Sequence, residues 1–306
     1  MSEQKSALIR LFGVSLLWGC NYVVSAYLLR YFSPIFLSTA RISMTSFFLL
    51  LVAMKLGGLR KPTKREWLLL VGTGVFGTLF NQVFYFTGLK DSTAADAALI
   101  IAMAPIVTTV LERVVFKTAL TASKVVGALS SLLGVVIIVG FNGSSTGVSI
   151  GDINLVLAML GLSISLLFIR GLTGSMSSYC VTIFSTVLGC VMMWPAAAGE
   201  AAMGHTVVSA GVWPWILMAL AGVVAQGMAG FWWNRGVSVM GAGTAAMFMN
   251  IPPFIALLAG HVVLHDPIYA TQVFGGVFVL LGVFIANTSS LRSSKTWPAV
   301  DRSTWL

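Results

Sequence analysis

The sequence predicts an all-α membrane protein of ten transmembrane helices, arranged as two inverted five-helix repeats with both termini in the cytoplasm. Three observations carry that prediction: a composition too apolar for water, a lopsided placement of basic residues, and a gap-free internal repeat. Of 306 residues, 58% are hydrophobic and 9% charged, with a mean hydropathy of +0.95. A soluble domain is nearer about half apolar and about a quarter charged.

Apolar runs of roughly the 20 residues that cross a bilayer follow one another along the chain. They lie near 7–29, 34–54, 66–87, 92–113, 121–140, 152–170, 177–198, 213–234, 240–263 and 268–288. No room is left for a separate aqueous domain. The first run follows Lys5 and Arg10 but exceeds the apolar region of a signal peptide and lacks its small-residue exit, so it reads as the first membrane helix. Cys20, Cys180 and Cys190 all fall inside apolar runs, as small buried hydrophobes rather than a disulfide framework.

The net charge of +9 does not point to nucleic acid. Such a protein gathers its basic residues on one soluble face, whereas here they punctuate apolar runs and orient the chain, because Lys and Arg are retained in the cytoplasm. Lys5, Arg10, Lys55, Arg60, Lys61, Lys64 and Arg65 fall inside, as do Arg113, Lys117, Lys124, Arg170, Arg235, Arg292, Lys295 and Arg302. Arg30 and Lys90 fall outside, and Arg41 lies within the second span. Merging or dropping one span would destroy the asymmetry. Residues 289–306 are Ser-rich and basic and read as a disordered cytoplasmic tail.

Displacing the chain against itself by 148 residues aligns Trp67 with Trp215, Gly74 with Gly222, Gly88 with Gly236 and Pro105 with Pro253. Ala97-Ala98 meets Ala245-Ala246, Gly127 meets Gly275, and Leu132-Leu133-Gly134 meets Leu280-Leu281-Gly282. Gly, Pro and Trp do positional work, so chance similarity of greasy sequence explains these matches poorly. The repeats cover 1–141 and 142–288, each with five spans, and an odd number makes the second copy enter the membrane from the opposite face. The charges agree: Arg113 and Lys117 become His261 and His265, as a loop moved outward requires.

Leu17-Trp18-Gly19 in the first span, Ser33-Pro34 before the second, Arg41 within it, and the paired Ala-Ala-x(6)-Pro segments resemble the EamA-like branch of the drug/metabolite transporter superfamily. The resemblance covers about residues 7–288. It implies a multi-pass carrier of the bacterial inner membrane that exports amino acids or other small metabolites, with a possible homodimer through spans five and ten. The sequence departs from the family where a Gly-Glu pair often follows the fourth span of each half; it has Phe116-Lys117 and His265-Asp266 there.

Ionisable residues at membrane depth are costly enough to be functional candidates. Arg41 is the clearest, either an anchor bonding carbonyls between the repeats or a bidentate site for a substrate carboxylate. Asp96 follows Thr93 at capping-box spacing, which favours a helix cap over a proton or amine site at the outer mouth. Glu112 sits beside Arg113 and reads as an interfacial ion pair, with gating as the sharper alternative. Pro105 and Pro253 interrupt spans four and nine at matching positions, and paired broken helices point to a midplane site. Met103, Met247 and Asn250 lie around those breaks.

Asn81, Gln82, Phe84 and Tyr85 in span three, and Gln226, Trp232, Trp233 and Asn234 in span eight, supply polar and aromatic groups for pore lining, interhelical bonding or an interfacial belt. Trp18 and Asn21 are similar candidates in span one. The cavity is expected between spans one, three, four, six, eight and nine.

No P-loop, HExxH or CxxC signature is present, and no cofactor is expected. His261-x(3)-His265-Asp266 has metal-like spacing, but side-flipped replacement of basic residues explains it. A membrane enzyme acting on a lipid-linked substrate would need clustered acids or basic residues at one interface, and the acids here are scattered.

Overall fold

A segment in lipid must satisfy every backbone N–H and C=O internally, which only helices and closed barrels achieve; these apolar runs take the helical solution. The computed structural model describes residues 3–116, 122–140, 149–173, 175–240 and 248–292, and is helical with no strand among them. Lys117, Met247 and the predicted tail beyond Arg292 lie outside the described residues, as does the side chain of Asn234.

The helices are α1 Glu3–Leu28, α2 Pro34–Leu56, α3 Lys64–Thr73, α4 Asn81–Lys90, α5 Ala94–Ile101, α6 Ala104–Phe116 and α7 Ala122–Gly140. The second half holds α8 Ile150–Thr173, α9 Ser178–Ala202, α10 Val212–Leu220, α11 Ala229–Met240, α12 Ile251–Ala259 and α13 Ala270–Arg292. A π-helical segment, Gly74–Phe80, joins α3 to α4; Ala221–Met228 joins α10 to α11, and Gly260–Leu264 extends α12. Among the described residues eight continuous stretches are long and apolar enough to cross a membrane, and two shorter apolar helices, Ile251–Leu264 and Ala270–Ala286, occupy the ninth and tenth predicted positions.

Local chemistry sets the ends. Thr63 and Glu66 form a capping box: the Glu66 N–H donates to Thr63 Oγ1 at 3.3 Å and the Thr63 N–H to Glu66 Oε2 at 2.8 Å. Arg60 pairs with Glu66 and reaches the Ser175 carbonyl, tying α3 to the turn before α9. Thr63→Ala is expected to cost about 1 kcal/mol, read as a lowered unfolding midpoint in detergent; an unchanged midpoint would remove the cap from the account.

The tightest pairing is α7 with α13, which cross antiparallel. The Gly127 Cα faces the Gly282 carbonyl and Gly134 faces that of Gly275, an exchange of repeat-equivalent glycines. Between them Ser130 Oγ donates to the Phe278 carbonyl and Ser131 Oγ to that of Val279, each serine meeting the residue 148 positions on. These glycines therefore serve a contact within the chain.

Cys180 and Cys190 are buried as expected, but Cys20 is exposed. It lies on the outward face of α1, where a thiol in an apolar run meets lipid at little cost.

Candidate functional site

A cavity of about 610 Å³ occupies the middle of the bundle, within the roughly 300–1,000 Å³ of small-molecule sites. It extends from mid-span toward the end that carries residues 57–63 and 175–177, where Leu49, Thr73, Ile169 and Thr182 line it. At the other end Leu28, Phe32, Leu37, Phe86, Leu89 and Leu155 pack without exposure beyond 2% and close the bundle.

Of the residues singled out in the sequence, Trp18, Asn21, Arg41, Asn81, Tyr85, Gln226, Asn250, Pro105 and Pro253 line the cavity. Arg41 is 3% exposed. Its Nη1 donates to Ser25 Oγ at 2.7 Å and Asn21 Oδ1 at 3.4 Å, and its guanidinium lies 4.9 Å from the centre of the Phe86 ring. Asn81 Nδ2 donates to the Ala158 carbonyl at 2.8 Å, pinning α4 to α8 while the residue borders the cavity. Trp18 Nε1 donates to the Ala225 carbonyl at 3.0 Å, and its ring packs 5.2 Å from that of Trp233.

Five candidates lie elsewhere. Phe84 packs on Phe80, ring centres 4.5 Å apart, and Met103 is buried in the apolar core. Trp232 is exposed on the surface of α11, as an interfacial tryptophan would be. Asp96, 1% exposed, caps α5 with Thr93, whose Oγ1 accepts from the Asp96 N–H at 3.1 Å and donates to its Oδ2 at 2.8 Å; Gln272 Nε2 donates to the same Oδ2 at 3.2 Å. Glu112 pairs with Arg170 on α8 at 2.6 Å, not with adjacent Arg113, because neighbours in sequence do not face each other on a helix.

Spans two and seven also line the cavity, through Arg41 and Thr45 on one and Thr182, Ser185 and Thr186 on the other, which enlarges the expected set. Tyr22 and Gln82 join them from α1 and α4. Both long π segments border the space as well, with Gly77 and Thr78 from the first and Ala225, Gln226 and Gly227 from the second. They fall at repeat-equivalent positions. A π segment shifts the backbone bonding register and often marks a functional site; here Thr45 Oγ1 lies 2.9 Å from the Gly222 carbonyl and 3.4 Å from Gln226 Oε1.

The His261-His265-Asp266 spacing does not assemble a metal centre: among the described residues no three His, Cys, Asp or Glu side chains are placed to hold an ion. His261 Nδ1 instead lies 2.8 Å from the Asp266 backbone carbonyl.

The profile of the EamA-like transporter family matches this chain twice, over residues 5–140 and 149–288. The uncharacterized transporter YyaM of Bacillus subtilis is 27% identical over 91% of this chain and 92% of its own length. An uncharacterized transporter of Archaeoglobus fulgidus is 25% identical, covering 88% and 94%. A chain of a solved crystal structure superposes with a TM-score of 0.65 over 95% of this chain and 99% of its own, at 19% identity, which establishes a shared fold.

Proposed function

Because this multi-pass membrane protein belongs to the EamA-like transporter family and is no enzyme, we propose that it exports amino acids or related small metabolites by alternating access through the central cavity. The observation that carries the reading is the cavity itself: a space that reaches mid-span from one end of the bundle, bordered by interrupted helices from both repeats.

The geometry supports ten spans in two inverted repeats. A twofold that exchanges antiparallel α7 and α13, glycine for equivalent glycine, must lie perpendicular to the helices and hence in the membrane plane. The Lys and Arg bias then puts both termini and the open end of the cavity in the cytoplasm of a bacterial inner-membrane protein. This is the inward-facing state, in which a cytoplasmic solute reaches mid-span. Rocking of the repeats would open the opposite end. The Glu112–Arg170 pair, near the open end, is placed to hold α6 against α8 in one state and part in the other.

The test is flux of a labelled amino-acid and metabolite panel into proteoliposomes, with and without a pH gradient. Saturable movement above empty vesicles is expected, reduced at least a few-fold by Gln226→Ala. No movement of any solute by correctly inserted protein would overturn the reading.

A further inference from the structure

We propose that the cavity selects small organic anions with an apolar body, held through a carboxylate on the free edge of Arg41; this rests on the carrier reading above. The argument begins with what Arg41 lacks. Its Nη1 is occupied by Ser25 and Asn21, but its Nε and Nη2 meet no acceptor among the described residues, although the side chain is 97% buried by its 3% exposure and borders the cavity. No carboxylate pairs with it among the described residues, and the cavity lining contains no acidic side chain. A buried cation without a counter-ion is costly, and a guanidinium edge presenting two parallel N–H groups fits a carboxylate in bidentate geometry. Phe86 on one face and Ser25 on Nη1 fix the plane of that fork.

A second, independent feature carries the same sign. The N-terminal turn of α12 borders the cavity through Asn250, Pro252 and Pro253. Helix N-termini carry the positive end of the macrodipole. The prolines withhold N–H groups, so this turn acts on an anion through its field more than by direct bonds. Two positive features, the guanidinium edge and this helix end, thus face a cavity without an acid. The rest of the wall, with Trp18, Tyr22, Tyr85 and Phe231, suits an apolar or aromatic body.

A zwitterion would gain at Arg41 but leave its ammonium with dipoles alone, chiefly Asn250 Oδ1, which is buried without a partner. A cation gains nothing. Among amino-acid-related solutes, the deaminated acids are therefore favoured over the amino acids.

The experiment measures quenching of intrinsic tryptophan fluorescence in the purified full-length protein by phenylacetate, phenylacetamide, phenylalanine and phenethylamine, alongside their competition in the proteoliposome assay. In the parent, phenylacetate is expected to bind at least about tenfold more tightly than its amide, the scale of a charge-assisted bond, with phenylalanine between and phenethylamine weakest. Arg41→Gln is expected to erase the preference for the acid by lowering acid affinity more than amide affinity, and Arg41→Lys, which lacks the fork, to restore it in part. Equal affinity for acid and amide in the parent overturns the inference without any variant, so a misfolded Arg41→Gln cannot obscure it. Transport of other solutes with no acid preference sinks the inference alone, whereas absence of all transport sinks the carrier reading.

Discussion

Gly127→Val and Gly282→Val are each expected to remove most of the stably folded protein. A Cβ on Gly127 would stand 2.5 Å from the Gly282 carbonyl oxygen and 2.9 Å from the Ala286 nitrogen. A Cβ on Gly282 would collide with Ser131 Oγ and the Gly127 carbonyl. These are mainly backbone atoms of the facing helix, so no rotamer change relieves them; the helices must separate. Separation would also break the Ser130 and Ser131 bonds to Phe278 and Val279. Overpacking typically costs about 1–3 kcal/mol, and a backbone clash with lost bonds belongs at or above the top of that range. The unfolding midpoint should fall by on the order of 5–10 °C, with loss of the monodisperse peak on size exclusion. Gly13→Val and Gly199→Val, where a Cβ meets nothing within 4 Å, are the controls and should behave like the parent. If all four variants were equally stable, α7 and α13 would not be packed as described.

The same glycines show why the architecture was legible in the sequence. Hydropathy is a local property, so the runs announced themselves, and Gly127, Gly134, Gly275 and Gly282 recurred at one offset because close helix approach tolerates only a hydrogen there. What was hidden depends on rotation about helix axes. Phe84 and Tyr85 are neighbours, yet one packs on Phe80 and the other borders the cavity, a choice made downstream of a π segment that resets the angular register of α4. Thr45 and Thr182 gave no signal, since each hydroxyl also reaches the carbonyl four residues back and so looks like any helical threonine. The pairing of Glu112 with Arg170 required knowing that α6 lies against α8. Arg41 was conspicuous in sequence, because a charge that deep in an apolar run is costly enough to mark a functional candidate.

Glu200 was invisible for the same reason, and it carries the second large effect. It closes an apolar span near an interface, where a lone acid would ordinarily face water. The fold instead buries it, 6% exposed, against the start of α2 more than 160 residues away. Its Oε2 accepts from Ser33 Oγ at 2.7 Å and the Phe36 N–H at 2.9 Å, and its Oε1 from the Ile35 N–H at 3.2 Å. Ser33, the N-cap residue, makes no side-chain cap of its own, so a carboxylate from α9 satisfies the orphan donors of α2 and meets the positive end of its dipole. Glu200→Ala would strand two backbone N–H groups in a buried site, at about 1–3 kcal/mol each, and release α9 from α2 at the closed end of the bundle. Two readouts should therefore move together: a fall of several degrees in the unfolding midpoint, and faster labelling of a single cysteine placed at Phe32 from the closed side. Glu200→Gln, which keeps one acceptor and loses the charge, should fall between parent and alanine in both. A midpoint that falls while Phe32→Cys stays protected would make Glu200 a helix cap alone, with no part in holding that end shut.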